Sequence, residues 1–87
     1  MAKFNFSVFT HTGNVINKDV DFVRFNSTIG DVGIEKNHTA SLFQCKSGDL
    51  LLTIDKNDEI YHLNDGFVQV EPNQVVLFTD SLELKQY

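Results

Sequence analysis

The chain has 87 residues, too few for two independent cores, and its 41% hydrophobic and 22% charged residues are ordinary globular usage, far from that of a disordered chain. A net charge of −5, with only 7 scattered Lys and Arg, excludes the clustered cations that nucleic acid or an anionic lipid surface requires. Cys45 is the only cysteine, no apolar run approaches the roughly 18 residues of a membrane span, and the N-terminus lacks an export signal. These features point to one cytosolic domain spanning residues 1–87. A domain this small buries roughly 60–65% of the surface its unfolded chain exposes, so part of its stability is expected to come from a partner.

The first predicted strand is Phe4 to Phe9, where Phe4, Phe6 and Val8 alternate with Asn5 and Ser7. Thr10 to Asn14 are turn formers, Val15-Ile16 is a short apolar segment, and Val20 to Phe25 reads as a second strand.

The stretch from Thr28 to Phe43 organises the rest. Gly30 and Gly33 suit a backbone that turns or bulges with positive φ, and Val32 and Ile34 alternate about Gly33 as a strand edge would. Glu35 to His38 form a polar excursion, the kind of loop on which a small β domain carries recognition. Ala40, Leu42 and Phe43 then restart an apolar pattern, and alternation does not decide which of Leu42 and Phe43 faces the core.

Ser41 to Lys46 and Leu50 to Ile54 are predicted strands separated by the turn Ser47-Gly48-Asp49. A four-residue turn, Asp55 to Asp58, leads into Ile60 to Leu63, and Asn64-Asp65-Gly66 leads into Phe67 to Val70. Glu71-Pro72-Asn73-Gln74 places Pro at the first central position of a β-turn before Val75 to Thr79. No long segment has the repeat of about 3.6 residues that marks a helix, apart from a short helical turn expected in Ser81 to Lys85. About nine to ten short strands separated by turns predict an all-β fold, an antiparallel sandwich or flattened barrel.

Catalytic chemistry is hard to place on this chain. His11, His38 and His62 stand at no ligand spacing, and Cys45 lacks a C-x-x-C mate, so no metal site is expected. Cys45 lies in an apolar strand where a thiol is inert, and Asp55 and Asp58 share an open, solvated turn. Gly30-Asp31-Val32-Gly33 lacks the Lys-Ser/Thr ending of a phosphate loop. Three N-x-S/T triplets, at Asn5, Asn26 and Asn37, read as chance matches. What remains is an interaction module, with Phe9, Phe43 and His38 as the first candidates for its surface.

In their order and spacing, G-D-V-G-I (Gly30 to Ile34), N-H-T-A (Asn37 to Ala40), S-G-D (Ser47 to Asp49), N-D-G-F-V-Q-V (Asn64 to Val70), E-P-N (Glu71 to Asn73) and V-L-F-T-D (Val76 to Asp80) resemble a known family. It is the N-terminal β-sandwich domain of the epsilon subunit of F-type ATP synthases. The resemblance covers Phe4 to about Ser81. It implies a non-catalytic subunit of the central stalk, seated on the gamma subunit and facing the ring of c subunits. Thr10, His38 and Phe43 match positions at or near gamma, and Gly30, Asp31 and Val32 match the loop toward the c ring.

The implied partners are gamma, the c ring and, through the complex, the alpha and beta subunits, with no cofactor and no direct insertion into lipid. The implied location is cytoplasmic, peripheral on the inner face of the cell membrane. Lys36-Asn37 stands where the family often has Pro-Gly, and Asn73 where Gly is common, so those loops are expected to differ in shape. Most members continue into a two-helix hairpin that binds ATP or blocks rotation. With the sequence ending at Tyr87, no nucleotide binding and no helix-mediated inhibition are expected. The alternatives are a stand-alone β-sandwich binding module with an unrelated ligand, and a small metal-dependent β-barrel enzyme, for which the sequence offers no ligand cluster.

Overall fold

The computed structural model describes residues 2–85, and all of its regular structure is β. In chain order the strands are β1 (Phe4–Thr10), β2 (Gly13–Val20), β3 (Phe22–Ser27), β4 (Gly30–Ile34), β5 (Ser41–Cys45), β6 (Gly48–Ile54), β7 (Asn57–Leu63), β8 (Gly66–Glu71), β9 (Gln74–Thr79) and β10 (Leu82–Leu84). They form a continuous sheet in the order β10-β7-β6-β3-β5-β8-β9-β1-β2, with β4 added alongside β3. Every pairing is antiparallel except that of β1 with β9, which is parallel and sets Val8 opposite Leu77. That single parallel contact joins the first strand to the ninth and makes the sheet mixed.

The sheet curls over on itself, so its two ends cover one core. Alternate residues point inward along each strand, as a period of two requires: Phe4, Phe6 and Val8 from β1, Val23 and Phe25 from β3, Leu50 and Leu52 from β6, Val68 and Val70 from β8, Val75 and Leu77 from β9. Burying such a side chain stabilises the fold by about 1.5–3 kcal/mol, so this set supplies most of the favourable term in a small domain. Side chains clasp the seam where β2 approaches the β6–β7 hairpin. Lys18 Nζ lies 3.0 Å from Glu59, and Lys3 Nζ reaches Asp21 at 3.0 Å and Asp55 at 2.7 Å.

Several boundaries differ from the sequence reading. β2 runs the whole length of Gly13–Val20, because Asn17 and Asp19 point to solvent from an edge strand while Ile16 and Val20 point inward. The chain bends at Asp21, so the strand expected from Val20 to Phe25 is divided there. The Asp21 amide donates to Thr53 O at 2.8 Å, and its carboxylate accepts the Asp55 N–H at 2.8 Å. The β6–β7 turn is two residues, Asp55 and Lys56, both left-handed at φ 51° and 68°, so both strands extend further than a four-residue turn allows. Residues Leu82–Leu84 form a strand against β7 where a short helical turn was expected.

The two glycines of the organising stretch play different parts. Gly30, at φ 121°, ends the two-residue tip of the β3–β4 hairpin in a conformation that suits glycine. Gly33, expected to share that role, sits within β4 with no positive φ; a Cβ there would come within 2.9 Å of Phe22 Cζ, so the missing side chain makes room for that ring. Asn37 takes up φ 65°, a left-handed conformation of the kind a glycine adopts easily, and its amide donates to Pro72 O at 3.0 Å.

Candidate functional site

Strand register decides which side chains share a face, and it gives the two outer faces of the sandwich different chemistry. Gln44 pairs with Phe67, Phe67 with Phe78, and Phe78 with Phe9. The pairing draws a single row across β5, β8, β9 and β1. Neighbouring strands lie about 4.8 Å apart, so the rings are close enough to touch. Phe9 and Phe78 stack with centroids 5.7 Å apart and planes 21° from parallel. Phe67 is 51% exposed, Phe78 48% and Phe9 37%, and Leu42 beside the row is 71% exposed. Ordinary alternation along β1 keeps Val8 in the core while Phe9 faces outward, and the β1–β2 register shifts at this point, leaving Val15 of β2 unpaired.

The other outer face, built by β4, β3, β6, β7 and β10, is charged and largely paired within the chain. Arg24 Nη2 lies 2.7 Å from Asp31, and Lys85 Nζ lies 3.0 Å from Asp49, which also has His62 Nδ1 at 4.0 Å. Between these groups Leu51 and Ile60 are only partly exposed.

The groups with displaced acidity lie at the seam and in the core. The Asp55 backbone N–H, followed by the Lys3 ammonium, holds the Asp21 carboxyl below its usual range. Lys18, followed by the Tyr61 hydroxyl that donates to Glu59 at 2.9 Å, does the same for Glu59. Burial raises the Tyr61 phenol and the Cys45 thiol. Each is accounted for by packing or by a neighbour in the clasp. His11, His38 and His62 stand on three separate elements, and among the described residues no three His, Cys, Asp or Glu side chains gather to hold a metal ion.

The candidates from the sequence are not gathered at one point. Thr10 ends β1 next to Phe9 and lines the same hollow as Phe67 and Phe78. His38 lies in the loop before β5, with Nδ1 2.9 Å from Thr39 O, near the β8–β9 turn. Thr10 and His38 therefore stand at opposite ends of the aromatic face. Phe43 turns inward onto Phe25, edge to face at 5.9 Å, and Leu42 turns outward. Gly30, Asp31 and Val32 lie at the start of β4 beside the hairpin tip, where Ile29 is 80% exposed. Of these three, Asp31 reaches solvent paired to Arg24, while Val32 packs on the core.

Sequence reasoning named Phe9, left open whether Leu42 or Phe43 faces outward, and missed Phe67 and Phe78. The signal was available in part. The Pro72-Asn73 hairpin tip sets Phe67 opposite Phe78, and the inward run of Val68, Val70, Val75 and Leu77 leaves both rings on the outside.

Ten strands around one core with an uncovered aromatic face define a β-sandwich domain with the character of an interaction surface. The chain belongs to the family of the ATP synthase delta/epsilon chain β-sandwich domain, whose model matches residues 3–85. It is 28% identical over 81 residues to the ATP synthase epsilon chain of Ruthia magnifica subsp. Calyptogena magnifica, covering 93% of this chain and 59% of that one. It is 27% identical over 84 residues to the ATP synthase epsilon chain of Staphylococcus aureus (strain JH9), covering 95% of this chain and 63% of that one. The chain thus spans about three fifths of the length of these curated relatives. Its fold is similar to a chain of the Euglena gracilis mitochondrial ATP synthase OSCP/F1/c-ring structure, with TM-score 0.90, 16% identity, and coverage of 97% of this chain and 54% of that one. A chain of the Tetrahymena thermophila mitochondrial ATP synthase central stalk/c-ring structure gives TM-score 0.78 at 17% identity, covering 93% and 66%.

Proposed function

We propose that this chain is a non-catalytic, epsilon-type subunit of the central stalk of a rotary F-type ATP synthase or ATPase. It binds the foot of gamma, faces the c ring, and meets the alpha and beta subunits only through the complex. The observation that carries this reading is the family match over residues 3–85 together with the uncovered aromatic face bounded by Thr10 and His38. Phe43 supports that face from beneath through its contact with Phe25. Gly30, Asp31 and Val32, beside the exposed Ile29 tip, form the edge that faces the c ring.

A compact sandwich suits this work, because coupling by contact needs a body that passes torque without deforming. One hydrophobic core and a sheet clasped across its seam provide that stiffness. The subunit is a peripheral part of a membrane-bound complex, on its inner, cytoplasmic side, and needs no cofactor, no lipid insertion and no nucleic acid.

Co-purification tests this reading. The chain, tagged at its C-terminus and expressed with its native neighbours, is expected to elute with one gamma and three catalytic subunits per copy. A clean monomer free of ATPase subunits would replace the stalk reading with that of a stand-alone binding module.

A further inference from the structure

β2 is an end strand of the sheet, so the β1–β2 hairpin joins the rest of it through one ladder, the parallel pairing that runs from Asn5 against Gln74 to Phe9 against Phe78. Its side chains nevertheless fill the centre. Phe4, Phe6, Val8, Ile16 and Val20 all lie in the core, and Lys18 meets Glu59 across the seam. The link from this hairpin to β3 is Asp21 alone. Val20 to Phe25 contains no glycine or proline, and its valines and phenylalanines favour one extended strand. The bend is imposed from outside that segment: the Asp21 N–H donates to Thr53 O at 2.8 Å, and its carboxylate accepts the Asp55 N–H at 2.8 Å and meets Lys3 at 3.0 Å. Local preference and tertiary contact therefore disagree at this one residue.

We infer that Asp21 is the hinge of an exchange between two copies of this chain: it straightens, β2 runs on into β3, and the β1–β2 hairpin of each copy takes the place of the other's. The β1–β9 ladder, the core contacts of the hairpin and the Lys18 to Glu59 clasp are all made again between copies, so contacts change only at the hinge. Exchange also makes the aromatic face composite, with Phe67 and Phe78 from one copy and Phe9 and Thr10 from the other. The short link holds the hairpin at an effective concentration of about 1 mM, so a second copy competes when chains fold at a comparable concentration. The exchange stands whether or not gamma is the partner of that face.

The test is refolding of the purified chain at about 1 mM and at about 10 μM, at and far below that effective concentration, followed by size-exclusion chromatography with light scattering. Dimer is expected from the first and monomer from the second. Asn5→Cys with Gln74→Cys, oxidised after refolding, reports the exchange, because neighbouring strands lie about 4.8 Å apart, within disulfide reach, and Cys45 is buried. The disulfide is expected to join two chains in the dimer and to close within one chain in the monomer. Deleting Asp21 leaves no residue to make the bend and is expected to give dimer at both concentrations. Should that variant not fold, Asp21→Val, which removes the carboxylate's bonds and favours a strand, is expected to raise the ratio of dimer to monomer about tenfold. Disulfides closed within each chain of the dimer would overturn the exchange in favour of association between intact faces. Monomer alone at the higher concentration, a folded monomer of the deletion variant, or an unchanged ratio for Asp21→Val would overturn it as well.

Discussion

Arg24 and Asp31 are tied across the β3–β4 hairpin, Nη2 to Oδ2 at 2.7 Å, with side chains 55% and 54% exposed. The proposed c-ring edge therefore presents a carboxylate that already has a cation of its own. A basic group on a partner must compete with Arg24, which leaves little net attraction.

Asp31→Ala is accordingly expected to be mild. An exposed pair of this kind contributes about 0–1 kcal/mol, or at most a few degrees in melting temperature for a domain of this size. A double-mutant cycle with Arg24→Ala measures the coupling directly. In a reconstituted complex, ATP-driven proton pumping should stay near the unmodified level. A drop of tenfold or more would mean that Asp31 makes a partner contact that Arg24 does not satisfy.

Gly66→Ala is expected to be severe and Gly33→Ala tolerated. A Cβ on Gly66 would overlap the Phe78 carbonyl oxygen, a backbone atom fixed by the β8–β9 ladder. Relieving that overlap requires moving a strand, at a cost of about 3 kcal/mol and a loss of about 10 °C or more in melting temperature. At Gly33 the neighbour is the tip of the Phe22 ring, which can swing, and alanine in a strand recovers part of the cost. Gly33→Val should lie between them. Thermal unfolding of the three variants gives the order, and equal effects at the two positions would contradict the close approach at Gly66.

How much of this was legible beforehand depended on whether the information was local. The β6–β7 and β8–β9 hairpins were readable because turn and alternation lie within one short segment. β2 was obscured because Asn17, Lys18 and Asp19 on an edge strand resemble loop composition. The parallel contact of β1 with β9 joins residues about seventy positions apart, and no local pattern encodes it. The orientation of Phe43 was undecidable for the same reason, since it follows from pairing with Val68 on β8. The aromatic row needs two pairings at once, β8 with β9 and β9 with β1, and the sequence offered only the one set by Pro72-Asn73. Gly33 was misread because a glycine kept for a neighbouring ring looks, in sequence, like a glycine kept for a turn.

The seam clasp should make stability acid-sensitive. Asp21 is held below its ordinary value of 3.8, chiefly by the Asp55 N–H and then by Lys3. A depressed folded-state value contributes stability that is present above the unfolded value and is lost as pH falls through the folded one. The unmodified chain should therefore melt at progressively lower temperature as pH drops below about 4, and Glu59, held below 4.5 chiefly by Lys18, adds to the same trend. Asp21→Asn keeps an oxygen to accept the Asp55 N–H but loses the charge. It should melt lower at neutral pH and converge with the unmodified chain toward pH 2, as linkage requires when the charge is the source. Parallel curves would show that the carboxylate charge contributes nothing.

The turn between β6 and β7 allows a stabilising change. Asp55 and Lys56 both occupy left-handed backbone, at φ 51° and 68°, as a two-residue turn matched to the strand twist requires. A side chain at Lys56 costs about 1–2 kcal/mol in that conformation, and glycine escapes the cost at the expense of a more flexible unfolded chain. The net gain for Lys56→Gly is about 0.5–1 kcal/mol, because Asp-Gly is a preferred pair for this turn and Lys3 still meets Asp55. A β-branched residue is the least suited to positive φ, so Lys56→Val should lose about 1 kcal/mol or more. Melting temperatures should rank glycine above lysine above valine, a rise and a fall of a few degrees each. Valine equal to glycine would show that the turn does not hold the left-handed geometry on which the β6–β7 register depends.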